Sequence, residues 1–122
     1  MSRVDLRREL FTALTGDAAL CALLPKGAGS VYMNLCTDAS TAPAVVCTIV
    51  DEVPAFADDA EALLKYRFQI SIITTDAEYD AIEAAVQRVV YALGATRAVS
   101  TEFIDDGRHF RVAQYRLMHK KE

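Results

Sequence analysis

Hydrophobic and polar residues alternate most regularly in the middle of the chain. The apolar positions are Leu64, Tyr66, Phe68, Ile70 and Ile72, and the residues between them are Lys65, Arg67, Gln69, Ser71 and Ile73. Side chains of a strand point to opposite faces at a period of two. The pattern therefore predicts a strand with one face on a core, and the other face wet or in contact with a partner.

A helix is predicted directly after this strand. Thr75 is followed three positions later by Glu78, the spacing of a capping box, and Gly94 occupies a typical position just past a helix end. Between them, apolar residues recur every three or four positions, at Tyr79, Ile82, Val86, Val89 and Leu93. This spacing places them on one helix face, which we expect to pack on the apolar face of the strand.

The first half of the chain predicts two helices and two strands. Ser2 and Asp17 can cap the helices, and the second is expected from Ala18 to Leu24. The first helix has an apolar stripe of Leu6, Leu10, Phe11 and Leu14. The rest of this helix is rich in arginine and is either a solvated face or a basic docking patch. A short strand is expected at residues 31–35. Residues 44–53 are apolar at successive positions, so we expect a strand that is covered on both faces.

A hairpin is predicted near the end of the chain. Asp106-Gly107 is a preferred pair for a two-residue type I′ turn. That turn sets Asp105 opposite Arg108, Phe103 opposite Phe110, and Glu102 opposite Arg111. Two pairs of opposite charge and one aromatic pair favour this register. The apolar parity changes after Ala113, which we interpret as a bulge or as a strand end that packs differently.

These elements, in the order α-α-β-β-β-α-β-β, predict an α+β fold. We expect a mostly antiparallel sheet of about five strands, with two main helices packed on one face. A chain of 122 residues is enough for one core. The sequence therefore predicts a single domain over residues 1–122.

Composition and charge limit the possible surroundings and partners. No apolar run is long enough to span a bilayer, and the first residues lack a signal-peptide core, so we expect a protein made and kept in cytoplasm or in an assembly built there. The net charge of −4 argues against a surface that holds nucleic acid by neutralising phosphates.

The sequence contains no catalytic or metal-binding signature. Neither histidine has a partner at ligand spacing, and Cys21, Cys36 and Cys47 have no metal-ligand spacing, so we expect buried, reduced thiols. Residues 54–61 are predicted to form an acidic loop. It lacks the spacing of a calcium loop, and a solvated loop is the simpler interpretation. The sequence predicts no enzyme, no cofactor and no metal.

The order of several packing motifs resembles the tail-completion, or tail-terminator, protein family of long-tailed bacteriophages and prophages. The likeness covers nearly the whole chain. It rests on Asp17-Ala18-Ala19-Leu20 with Leu23, Val31-Tyr32 after a glycine loop, Ala42-Pro43 before a valine-rich strand, Arg67-Phe68-Gln69-Ile70-Ser71 before an alanine-rich helix, and Phe110-Arg111-Val112.

This resemblance implies a structural virion protein of the tail, assembled in the host bacterial cytoplasm. Such a protein forms a homo-oligomeric ring, typically of six copies, at the head-proximal end of the tail tube. The ring ends tube polymerisation, contacts the tail tube protein and the head–tail connector protein, and lets DNA pass without specific binding.

A ring needs two different surfaces that meet around the circle. The candidate interface residues are Phe56, Asp58, Asp59, Glu61, Lys65, Arg67 and Gln69. Phe56 is an aromatic residue on a polar loop, where it either contacts another chain or folds back over the sheet. The alternative function is a small, non-enzymatic ligand-binding or regulatory α+β domain that dimerises through its sheet.

Overall fold

The computed structural model is an α+β fold built on one five-stranded mixed sheet, and it describes residues 3–34, 43–57, 60–76 and 79–120. The strands are β1 (Val31–Met33), β2 (Ala44–Ala57), β3 (Ala60–Thr74), β4 (Thr96–Asp105) and β5 (Arg108–Lys120). Their spatial order is β1-β2-β3-β5-β4. Only the pairing of β1 with β2 is parallel. The predicted fold class and element order are confirmed.

Three α-helices of the described residues accompany the sheet, namely α1 (Arg3–Thr15), α2 (Ala18–Ala22) and α3 (Asp80–Ala92), and a short 3-10 helix spans Gly27–Ser30. Apolar residues of α1 and α3 form one core with the alternate residues of β3 that include Phe68, as predicted. β2 and β5 contribute Val45, Cys47, Ala113, Tyr115 and Leu117 to the same core. Within the described residues, no helix has the length and apolarity needed to cross a membrane.

The first two helices follow the sequence pattern with small differences. Asp17 caps α2, since its carboxylate accepts a hydrogen bond of 3.0 Å from the Leu20 backbone N–H. The helix ends at Ala22, two residues before the predicted end. Phe11, which was expected in the buried stripe of α1, is 39% exposed. The proposed capping residue Ser2 lies outside the described residues.

The predicted start of α3 is wrong. The helix begins at Asp80, with Tyr79 at its N-cap and no side-chain capping hydrogen bond, so Thr75 does not cap it. Glu78, the other half of the proposed capping box, lies outside the described residues. The C-terminal prediction is confirmed. Gly94 adopts a φ of +95°, and its N–H donates to the Tyr91 carbonyl at 3.0 Å.

The predicted loop at residues 54–61 is also wrong, because both long strands run into this segment. Phe56 pairs with Glu61, and Ala57 pairs with Ala60. Pro54 occurs within β2, beyond the end of the short neighbouring strand β1. The prediction that β2 is covered on both faces holds only for its first residues. Residues 44–47 are buried, whereas Val50 and Val53 are exposed.

The β4–β5 hairpin has the predicted register at all three predicted pairs. Asp106 and Gly107 both have positive φ, as a type I′ turn requires. The Phe103 and Phe110 rings stack with centroids 4.8 Å apart. The shift in apolar parity does not mark a bulge in β5. Phe110 lies on the sheet face away from the helices and Tyr115 on the helix face, and the register shift is in β4, between Arg97 and Val99.

Candidate functional site

The sheet face opposite the helices is a candidate functional surface, and we call it the open face. On β3 it presents Lys65, Arg67, Gln69, Ser71 and Ile73, all exposed or half-buried. Direct register partners share a face in an antiparallel sheet. The open face therefore continues onto β2, β5 and β4 through Thr48, Asp51, Val53, Val112, Gln114, Arg116, Met118, Val99, Thr101 and Phe103. No described helix covers it.

One row across the open face brings two arginines together. Asp51, Arg67 and Arg116 are register partners on β2, β3 and β5. The Arg67 guanidinium donates to the Asp51 carboxylate at 2.6 Å. Lys65 lies one row away, opposite Val53 and Met118. Among the side chains that the structure describes, no carboxylate pairs with Lys65 or Arg116.

Like charges directly opposite on neighbouring strands destabilise a sheet. The pairing of Arg67 with Arg116 is therefore unfavourable in an isolated chain, and Asp51 offsets it from one side only. The cost is small, because both side chains are exposed and salt screens them. An anionic partner would remove it.

A concavity of about 540 Å³ lies beside this row, at a step in the edge of the sheet. β4 begins at Thr96, opposite Arg116, whereas β5 continues to Lys120. The step is lined by cations, by one carboxylate and by apolar side chains, among them Lys65, Arg67, Arg116, Asp51, Val53 and Met118. Val53 is 49% exposed and Met118 is 66% exposed. Exposed apolar groups beside cations are common on surfaces that contact another protein.

The predicted interface residues fall into two groups. Lys65, Arg67 and Gln69 lie on the open face. The Gln69 side-chain oxygen accepts a hydrogen bond of 3.5 Å from the Gln114 side-chain N–H. Phe56 and Glu61 are register partners towards the end of the β2–β3 hairpin, and Asp58 and Asp59 lie outside the described residues. The role of all seven residues in an interface stays a prediction.

Residues of the step on β2 and β5 were missing from the predicted site. Arg116 and Met118 come after the change in apolar parity at Ala113. The sheet face on which they lie could therefore be assigned only once the strand order β3-β5-β4 was known. Asp51 precedes the segment that was predicted as an acidic loop and was not among the predicted interface residues. Its ion pair with Arg67 joins residues that are sixteen positions apart. The two strand predictions could have been extended through residues 54–61 to form an antiparallel hairpin. The register of that hairpin would have placed Asp51 opposite Arg67.

On the helix face, a polar network joins α3 to the β4–β5 hairpin. Arg111 donates to Glu83 through Nε–H and to Glu102 through Nη1–H, the latter at 3.1 Å. A hydrogen bond with Glu102, together with partial burial, raises the pKa of Tyr79 to about 12. The pairing with Glu83 raises the pKa of Arg111. Both groups are protonated at neutral pH even at their ordinary pKa values, and the upward shifts move them further from neutral pH, which suits a structural link.

Other reactive side chains are also in structural positions. Cys47 is buried, and this burial raises the pKa of its thiol to about 12, as expected for an unreactive core cysteine. Cys21 is half-buried, and its thiol donates to the Thr15 carbonyl at 3.3 Å. Cys36 lies outside the described residues. The parts of the chain that the structure describes contain no cluster of side chains that could hold a metal ion.

Comparisons with known proteins agree with this fold. A solved structure entitled "Virion of native gene transfer agent (GTA) particle" contains a chain that superposes with a TM-score of 0.66. The two chains are 19% identical, and the match covers 99% of this chain and 100% of the other. At this identity the likeness shows a shared fold. Curated protein sequences gave no match.

A family match supplies the identification. The sequence model of the family described as "Tail completion protein gp17" matches residues 8–119, which include every strand except the last residue of β5. The matched range covers the core apart from Leu6, together with the open face and nearly all of both long hairpins. The chain belongs to the tail completion protein gp17 family, and is therefore a structural protein of the tail in a phage or phage-like virion.

Proposed function

We propose that this protein forms a ring, typically of six copies, at the head-proximal end of the tail tube. The ring ends polymerisation of the tube and joins the tail to the head connector. Its direct partners are a second copy of the chain, the tail tube protein and the connector protein. DNA passes through the centre of the ring without specific binding. Assembly takes place in the host bacterial cytoplasm.

The open face is the observation that carries this proposal. It is a sheet face without a described helical cover, and it combines exposed apolar groups such as Val53 with cations such as Arg116. Such a face is energetically unfavourable in an isolated chain, because its apolar side chains remain exposed to water and its like charges remain opposite each other. A structural protein whose work is assembly gains stability by covering it.

The charge of the chain supports passage of DNA rather than its capture. The net charge is −4, and the cations of the open face are few and accompanied by apolar groups. Tight DNA binding depends on many phosphate contacts by lysine and arginine. An acidic protein around a channel would repel the phosphates and leave the DNA free to move.

Mass measurement and tube binding test the proposal together. The purified chain is analysed by size exclusion with light scattering, then mixed with tail tubes and imaged by negative stain. We expect a ring of six, or a concentration-dependent ring, located at one tube end. A stable dimer that does not join tubes would contradict the proposal and favour a regulatory domain that dimerises through its sheet.

Phe56→Ala tests the contribution of the β2–β3 hairpin to this assembly. We expect weaker binding to tail tubes and an unchanged circular dichroism spectrum. Arg88→Ala is a suitable control, because this exposed arginine lies on α3, on the opposite side of the sheet from the open face. Unchanged tube binding by the Phe56 variant would remove this residue from the interface.

A further inference from the structure

The β4–β5 hairpin carries the chemical complement of the step on the same chain. Its end presents the carboxylates of Asp105 and Asp106, with Arg108 as the one cation of the turn, next to two exposed apolar side chains. Phe103 is 47% exposed and Ile104 is 67% exposed. The step combines three cations and one carboxylate with the exposed side chains of Val53 and Met118. One surface is acidic and apolar, and the other is basic and apolar.

The two surfaces cannot meet within one chain. β3 ends at Thr74, opposite His109, so the turn at Asp106 lies beyond that end of β3. The step lies at the other end of β5, around Arg116 and Met118. The eight residue intervals between Arg108 and Arg116 span roughly 27 Å at the rise of an extended strand. Contact between the hairpin end and the step therefore requires two copies.

We propose that the end of the β4–β5 hairpin, residues 102–108, inserts into the step of a second copy of this chain. The carboxylates of the hairpin face Lys65 and Arg116, and Ile104 packs on Met118. The contact joins two different surfaces, so it repeats head to tail and builds a ring or an open chain of copies. This inference rests on the proposed function, since it assigns the contact that closes the ring.

The geometry of both parts suits this contact. A two-residue turn gives the hairpin a narrow end, and the concavity of about 540 Å³ has the size of a site for a few side chains. At the step, β5 runs on without a β4 neighbour, which leaves its backbone edge open to another chain. The hairpin carboxylates also offset the opposed pair Arg67 and Arg116. DNA is the weaker occupant, because the apolar side chains of the step contribute nothing to phosphate binding.

Two matched variants test this contact. Ile104→Lys changes the hairpin and Met118→Lys changes the step, at side chains of nearly equal exposure. Each is expected to raise the concentration needed for assembly by about tenfold or more, with the thermal midpoint of unfolding unchanged. Leu23→Lys is the control, since this exposed leucine lies at the end of α2, outside both surfaces. It should assemble as the wild type does.

Mixing the two variants in equal amounts gives the sharpest result. The intact hairpin of the Met118 variant fits the intact step of the Ile104 variant, whereas the reverse contact opposes two lysines. We expect a dimer of one copy of each, measured by light scattering and native mass spectrometry. Rings formed by each variant at the wild-type concentration would overturn the inference and leave the proposed function standing.

Other outcomes separate the inference from the proposed function. If the wild type forms open chains and the mixture of variants forms dimers, the hairpin contact is supported and a closed ring is contradicted. A wild-type chain that stays monomeric overturns both. Retention of a double-stranded DNA fragment is measured in parallel. An intact ring of the Met118→Lys variant with stronger DNA retention would overturn the inference in favour of DNA as the occupant of the step.

Discussion

Removing the Phe68 ring tests whether the helix face of β3 holds the domain together. Phe68 is 0% exposed, and its ring stacks on Tyr115 with centroids 5.5 Å apart. Its register partners are Ile49 on β2 and Tyr115 on β5. Backbone hydrogen bonds fix both neighbouring strands, so the cavity left by Phe68→Ala cannot collapse fully.

The expected loss of stability is large for a domain of this size. A buried Phe→Ala substitution costs about 3–5 kcal/mol, and we place Phe68 in the upper half because the stacked pair with Tyr115 is lost too. At about 2.1 cal/mol/K per residue, the entropy of unfolding of 122 residues is near 0.26 kcal/mol/K. The thermal midpoint should therefore fall by roughly 15–20 °C.

Urea denaturation followed by circular dichroism measures this loss, at a protein concentration below that of assembly. Phe11→Ala is the matched control, because the same side chain is removed at an exposed position of α1. We expect a change within about 1 kcal/mol for this control, helped by the higher helix propensity of alanine. Equal, small losses at both positions would refute the assignment of the two faces of β3.

Three further substitutions test separate parts of the structure. Arg111→Met leaves Glu83 without its partner and should destabilise the fold by about 2 kcal/mol, measured by urea denaturation; a neutral effect would show that the network adds no stability. Arg88 holds the pKa of Asp17 below its usual value of 3.8, so the stability from this pair is present above that pH and disappears as the pH falls through the folded pKa. Asp17→Asn keeps the helix cap, so its deficit relative to the wild type should be seen at pH 7 and shrink as the pH falls through the lowered pKa of Asp17, whereas a pH-independent deficit would contradict the charge effect. Gly94→Ala should cost about 1–2 kcal/mol of stability, because alanine is strained at the φ of +95°. The added Cβ would not clash, since it would lie 3.7 Å from Leu117, so an unchanged urea midpoint would contradict this backbone effect.

Much of the fold could be predicted because local patterns and long-range packing agree. The period of two in β3 identified the core face, and the Asp106-Gly107 turn fixed the register of a whole hairpin. The predictions that were wrong concern segments where the local sequence pattern and the long-range packing favour different structures. Thr75 and Glu78 have the spacing of a capping box, yet α3 begins where Tyr79 becomes buried in the core. Tertiary packing prevailed over a local capping preference there.

The extent of the β2–β3 hairpin was missed for a similar reason. Proline and carboxylates favour a loop when residues 54–61 are taken alone. Pairing between two long strands supplies the hydrogen bonds that extend both of them through this segment. The step could not be predicted at all, because it depends on β5 lying between β3 and β4 and on the difference in their lengths.

The surfaces that we propose for assembly are consequently visible only in three dimensions. Lys65 and Arg67 were identified from the exposed face of one strand, but Arg116 and Met118 join them through sheet pairing. The end of the β4–β5 hairpin was predicted as a turn. Its proposed fit to the step depends on charged and apolar side chains at the two ends of β5.

Growth of tail tubes in the presence of this protein tests the proposed function most directly. Tail tube protein is polymerised with and without the purified chain, and tube lengths are measured by negative-stain electron microscopy. We predict shorter tubes that carry a ring at one end, with the effect lost in the Met118→Lys variant and kept in Leu23→Lys. An unchanged length distribution, with no ring at either tube end, would contradict a role in ending tube polymerisation.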